Sequence, residues 1–132
     1  MIGVDTNVLL RLFIVENSRQ TALAVAFFAQ RSPADPAYVS LVVMAEFAWV
    51  LKRRYKFRLE RIAAAIQGIL DSADFVVEGR EIVEWSLSHF DRTKIDFSDL
   101  LISRSGFAAK CTATMTFDHD ASEYVTGMEL LR

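Results

Sequence analysis

One cysteine, two prolines and five glycines in 132 residues exclude several classes of protein at once. A lone Cys111 forbids an internal disulfide, fits a reducing compartment and rules out a multi-cysteine zinc site. So few glycines and prolines, beside 52% hydrophobic and 24% charged residues, argue against a disordered chain and for a single domain over residues 1–132. Excess positive charge is missing too. The formal net charge is −2 and the pI about 5.7, so any basic surface has to be local. No apolar run reaches the ~18 residues needed to cross a bilayer. Asp5 interrupts the apolar opening, with no basic segment before it and no small-residue cleavage site after it. No membrane is therefore expected, and the protein is placed in the cytoplasm. A Gly-rich phosphate loop, a Ser-His-Asp set and a His or Cys cluster are likewise absent from the pattern.

What is present is a regular alternation. The opening strand runs from Ile2 to Val4 and meets Asp5-Thr6-Asn7, then a helix over Val8 to Ile14. A second helix, capped by Asn17 or Ser18, extends to about Arg31, and Pro33 and Pro36 end it in a turn. Ala37-Tyr38-Val39 is β-prone, and Ser40 is placed to cap a helix from Leu41 to about Tyr55, with Val43, Phe47, Val50 and Leu51 as its core face. Leu59 to Ser72 is helical through Ile62, Ala65, Ile66, Ile69 and Leu70. A short strand at Asp74–Val77, a helix over Glu81–Phe90 and a loop at Asp91–Lys94 follow. The last third reads as a helix from Ile95 to near Lys110, a strand from Cys111 to Thr116 and a brief final strand near Met128 to Leu131. Strands alternating with helices give an α/β layer sandwich with a mainly parallel sheet covered on both faces.

The carboxylates fall at telling places in that plan. The first strand ends in Asp5, and the strand ending at Thr116 is followed two residues on by Asp118. In a parallel sheet both lie at the same carboxyl edge, where open α/β folds bind ligands. Glu46 interrupts the apolar run Val42 to Trp49, an expensive place for a charge without a partner. Asp96 and Asp99 are three apart at a helix start, and so share a face or form an acidic capping box. Asp5 and Asp118 also have the plainer reading of helix cap and turn residue. Lys52, Arg53, Arg54, Lys56 and Arg58 form the densest basic stretch, read as a solvated helix end. Carboxylates converging on one cleft repel one another unless a cation compensates them. All-oxygen ligands select Mg²⁺ or Mn²⁺ over zinc.

These residues resemble the PIN-domain nucleases, and among them the VapC-like toxins of bacterial toxin–antitoxin pairs. The matching stretches are Val4 to Arg11, Val39 to Glu46, Asp96 to Ile102 and Thr116 to Asp118, in family order over nearly the whole chain. The resemblance implies a PIN-like, Rossmann-like three-layer sandwich with a central, mainly parallel sheet of four to five strands. It implies a Mg²⁺- or Mn²⁺-dependent endoribonuclease, a homodimer, and a small cognate antitoxin that enters the acidic cleft. By matched position, Asp5, Glu46, Asp99 and Asp118 form the acidic quartet that holds metal and water. Asp96 matches an accompanying acidic position, Thr6, Asn7 and Thr116 match polar residues that orient ligands, and Asp120 is a supporting site. The sequence departs from the family's small residues after Asp99, where Leu100 to Phe107 includes Arg104.

Two alternatives use similar carboxylates for Mg²⁺-dependent phosphotransfer. A receiver-like module needs an acidic pair at the first strand, whereas this chain has Asp5 followed by Thr6-Asn7, with Glu78 after the middle strand. A haloacid-dehalogenase-like phosphatase needs a second Asp two residues after the first, where this chain has Asn7.

Overall fold

The computed structural model describes all 132 residues. β1 (Ile2–Gly3) leads through Val4 into α1 (Thr6–Leu10), whose first turn is capped when Asp5 Oδ1 accepts from the Val8 N–H at 3.0 Å. The chain then continues in turns to Ile14 rather than as a helix. α2 (Ser18–Ala29) starts at Asn17, whose side chain accepts from the Gln20 N–H. β2 (Ala37–Val39) feeds α3 (Leu41–Arg53) through Ser40, which caps it by accepting from the Val43 N–H. Lys52 and Arg53 occupy the last turn of α3, where the helix dipole favours cations.

α4 (Leu59–Asp71) precedes β3 (Phe75–Val77), and α5 (Arg80–Ser88) begins after Gly79. Gly79 has φ +58°, a left-handed conformation that favours glycine, and a Cβ there would stand a tight 3.1 Å from Leu41 Cδ1. α6 (Phe97–Ala108), β4 (Thr114–Thr116), α7 (His119–Tyr124) and β5 (Met128–Leu130) complete the chain.

All strand pairings are parallel, as crossover helices dictate. β2 lies between β1 and β3, with Ile2 opposite Ala37 and Val39 opposite Val77. β4 and β5 form a ladder of their own, with Thr114 opposite Met128. All five strands are therefore present, but hydrogen bonding divides them three and two. β1 and β4 do not pair, so Asp5 and Asp118 do not end neighbouring strands. β1 contributes only two residues to its ladder, and its second edge carries no strand.

The core gathers on α3 and α4. Met44, Phe47 and Leu51 of α3 are completely buried, beside Leu9 of α1, Ile66 of α4, Val83 of α5 and Leu100 of α6. The α3 core face is thus Met44, Phe47, Ala48 and Leu51, with Val43 and Val50 only half-buried, a stripe rotated slightly from the one expected. On α4 all five expected apolar positions are buried. Because α3 packs against both α1 and α6, it is the element that connects the two ends of the candidate site.

Candidate active site

The carboxylates fall into two groups, each met by α3. At the α1 end, Asp5 is exposed and uses Oδ1 to cap α1, while no hydrogen bond falls on its Oδ2. The cap and a ligand role are therefore compatible. Thr6, buried in the first turn of α1, donates its hydroxyl to Glu46 Oε1 across to α3. Glu46 itself is exposed and not buried among its apolar neighbours, because the core face of α3 turns away from it. Asn7 is exposed one residue further along, with its amide free of hydrogen bonds.

At the α6 end, Asp96 occupies the N-cap position, but its side chain makes no capping bond, so the capping-box reading fails. Two cations from α3 claim it instead. Lys52 Nζ lies 2.6 Å from Oδ1, and Arg53 Nη2 lies 2.8 Å from Oδ2. Burial would raise the Asp96 pKa, but the hydrogen bonds from Lys52 and Arg53, and then their charges, hold it below the usual carboxylate value. Asp99, one turn later, is the opposite case. It is half-buried, with no hydrogen bond and no ion pair. Burial pushes its pKa up, the negative charges of Asp96 and Asp118 push it further, and Lys52 and Arg53 only partly offset them.

Asp118 sits at the start of α7, a short helix that the sequence reading missed. Its Oδ1 accepts from the Ala121 N–H at 2.9 Å, and its own N–H donates to Thr116 Oγ1 at 3.0 Å. Thr116 thus fixes the turn that presents Asp118, and no hydrogen bond falls on Asp118 Oδ2. Asp120 is exposed in the first turn of α7, makes no hydrogen bond or ion pair, and adds only negative charge near the helix N-terminus.

Lys52 and Arg53 are the functional-site residues that sequence reasoning did not find. In sequence they look like a solvated helix end, yet Arg53 is held charged by Asp96 and also feels Asp118 and Asp99. A signal was available. Glu46 and Arg53, seven apart on one helix, share a face, so a cation follows the acid along the same edge of α3.

The donor chemistry suits a hard divalent cation: every candidate ligand is a carboxylate oxygen, and Asp99 is a half-buried negative charge without a partner. Asp96 is the exception, since Lys52 and Arg53 already neutralise it. The cluster is not preassembled, because no three acidic, His or Cys side chains stand close enough to enclose one ion. The residues fit such an ion in kind, with Asp99 and Asp118 at one end and Asp5 and Glu46 at the other.

The PIN domain family model matches residues 2–126 of the chain. Domains of this kind are generally nucleases, hydrolases that act on RNA or other nucleic acid and typically bind divalent metals. No curated protein matches the chain by sequence. No helix is long and apolar enough to cross a membrane.

Proposed function

We propose, from the premise that this chain belongs to the PIN-domain family, that it is a Mg²⁺- or Mn²⁺-dependent endoribonuclease acting as the toxin of a toxin–antitoxin pair in the cytoplasm. The observation that carries the enzymatic reading is Asp99, a half-buried carboxylate left without a partner between Asp96 and Asp118 on a nuclease fold.

Asp5, Glu46, Asp99 and Asp118 would hold the cation. When bound, it would lower the pKa of a water and offset charge on the phosphodiester. The protein's own contribution is orientation. Thr6 fixes Glu46, and the two helix caps fix Asp5 and Asp118 by one oxygen while leaving the other available. Lys52 and Arg53 hold Asp96, which pins the start of α6 and with it Asp99. In the reaction, a water oxygen bonds to phosphorus, the bond to the leaving ribose oxygen breaks, and the water proton passes to the site and on to the departing oxygen. The products are a phosphate monoester and a free hydroxyl. Single-stranded loops of structured RNA are the favoured substrates, since their backbone can be drawn into a cleft.

Exposed Val25 on α2 and Val42 and Trp49 on α3 support protein partners, a second copy in a homodimer and a small antitoxin. The phosphotransfer alternatives lose ground at particular residues. Glu78, in the place of a receiver's acceptor, instead caps α3 by accepting from the Leu41 N–H at 2.8 Å. Asn7 is still an amide where a dehalogenase-like site needs acid.

The test is cleavage of RNA with Mg²⁺, with Mn²⁺ and with excess chelator, comparing wild type with Asp5→Asn and Asp99→Asn. Cleavage that requires metal and disappears in both variants, with folding intact, is the expected result. Wild-type rates in either variant, or cleavage indifferent to chelator, would sink the assignment.

A further inference from the structure

A groove of about 660 Å³ opens between the end of β1 and helices α1 and α2, and Asp5 is part of its lining. It combines apolar Leu23 and Phe27 with polar Asn7, Arg11 and Gln20. The volume is in the range of small-ligand sites and suits a nucleotide.

Arg11 is the residue in this groove that its fold does not account for. Its side chain is only 10% exposed, yet it makes one hydrogen bond, from Nε to Gln20 Oε1 at 3.2 Å. Nη1 is buried without a hydrogen-bond partner and forms only a long ion pair, 3.6 Å, with Glu16 Oε2, an oxygen that also accepts from the Tyr55 hydroxyl at 2.7 Å. No hydrogen bond falls on Nη2. A guanidinium has five N–H donors, and one hydrogen bond with one long ion pair leaves most of them without a hydrogen bond.

Arg31 shows what a structural arginine looks like in the same protein. It is 6% exposed, bonds the Phe27 carbonyl, the Asp35 carbonyl and the Asp35 carboxylate, and lies over the Phe27 ring. Arg11 has far less, one hydrogen bond and one long ion pair. Its neighbours in the groove add spare donors: Gln20 spends Oε1 on Arg11 and keeps its NH₂ free, and the Asn7 amide is unbonded.

We infer that Arg11 is a substrate-binding residue that takes a backbone phosphate of single-stranded RNA lying in this groove, with the adjoining base against Leu23 and Phe27. The inference rests on the ribonuclease reading and extends it to the strand beside the cleaved bond. An anion answers the guanidinium donors that Gln20 and Glu16 leave without a hydrogen bond, an aromatic and aliphatic surface answers a base, and the groove is continuous with Asp5.

The experiment is steady-state cleavage of a fluorogenic single-stranded RNA in Mg²⁺ over a range of salt, using wild type, Arg11→Met, Arg11→Lys and Gln20→Ala. A contact made equally in ground and transition states raises KM and spares kcat. Arg11→Met should raise KM about tenfold or more with kcat within about threefold, and should lower the salt slope of log KM by about one. Arg11→Lys should recover part of the loss, and Gln20→Ala, an exposed position safe for folding, should raise KM severalfold. Melting temperature separates binding from structure: Arg11→Met gives up one long ion pair and one exposed hydrogen bond, while Glu16 keeps the Tyr55 hydroxyl, so the variant should melt within about 3 °C of wild type.

Unchanged KM in folded Arg11→Met and Gln20→Ala would overturn the inference. So would an Arg11→Met protein that loses activity only in proportion to lost folding. If Arg11→Met splits a dimer in sedimentation while KM stays at the wild-type value, the groove belongs to a second copy and the RNA assignment is wrong. Wild type inactive on RNA would overturn the ribonuclease reading and this inference together, whereas an active enzyme indifferent to Arg11 and Gln20 overturns this inference alone.

Discussion

Replacing Lys52 by Met should damage the protein far more than replacing its neighbour Arg53 by Met, although both pair with Asp96. Lys52 Nζ donates to the Thr93 carbonyl at 2.8 Å, the Ile95 carbonyl at 3.1 Å and Asp96 Oδ1 at 2.6 Å. All three ammonium donors are used, and they tie α3 to the loop that launches α6. The Lys52 and Asp96 side chains are 24% and 18% exposed, so water replaces only part of what is lost. Hydrogen bonds to charged groups contribute roughly 1.5–3 kcal/mol each, and partial solvation here reduces the total to about 2–3 kcal/mol. Arg53 makes a single bond from a side chain that is 53% exposed, which contributes at most about 1 kcal/mol. For 132 residues, each kcal/mol corresponds to about 3.5 °C in Tm. Lys52→Met should therefore melt about 7–10 °C below wild type and Arg53→Met about 3 °C or less below it. The pH dependence has a definite sign. Asp96 is held below its unfolded pKa, so its pairing contributes fully above about pH 4 and is lost as pH falls through the depressed value. The gap between wild type and Lys52→Met, followed by circular dichroism melts, should be full at pH 7 and narrow in acid. Equal melting shifts for the two variants at neutral pH would refute the reasoning.

Asp99→Asn should stabilise the metal-free protein at pH 7 by roughly 1 kcal/mol, read as a Tm about 3 °C higher, because it removes an unpaired, half-buried charge. Since the folded-state pKa of Asp99 is raised, the penalty grows as pH rises through that value, and the gain of the variant should vanish in acid; a lower Tm at pH 7 would contradict it. Asp118→Ala loses the cap on Ala121 N–H and should cost about 1 kcal/mol, whereas Asp118→Asn keeps an acceptor there and should melt within about 1–2 °C of wild type. Both should lose RNA cleavage, which separates the structural from the ligand role. Thr6→Val removes the donor that fixes Glu46 without changing size, and should weaken Mg²⁺ activation of cleavage about 10- to 100-fold in a metal titration.

Much of the plan was legible because local signals agreed with one another. Ser40 and Asn17 cap α3 and α2 as their positions suggest, and the apolar spacing of α4 predicts its buried face residue for residue. The parallel pairing follows from helices between strands. What the sequence hid was short or non-local. α7 is six residues long, too brief to show a period, and is announced only by its cap Asp118. The helix expected over Val8 to Ile14 stops at Leu10, and the strand expected from Cys111 begins at Thr114, after Lys110 takes φ +74°. The division of the strands into three and two depends on which edges meet, and no window of sequence encodes that.

Asp96 and Asp99 show how the candidate site escapes sequence. Three residues apart on one helix start, they look alike as acids near a positive helix end, yet the structure gives them opposite electrostatic fates. What separates them is α3, more than 40 residues earlier, whose last turn delivers Lys52 and Arg53 to Asp96 and leaves Asp99 only partly compensated and without a partner of its own. The same helix carries Glu46 about two turns before Arg53, held by Thr6. α3 thus divides the carboxylates into one that is neutralised for structure and others left wanting a cation. A cleft in which every acid had its own lysine or arginine would be a stable surface and nothing more. The uneven supply of positive charge is what makes this one a candidate for binding metal and cutting a phosphodiester.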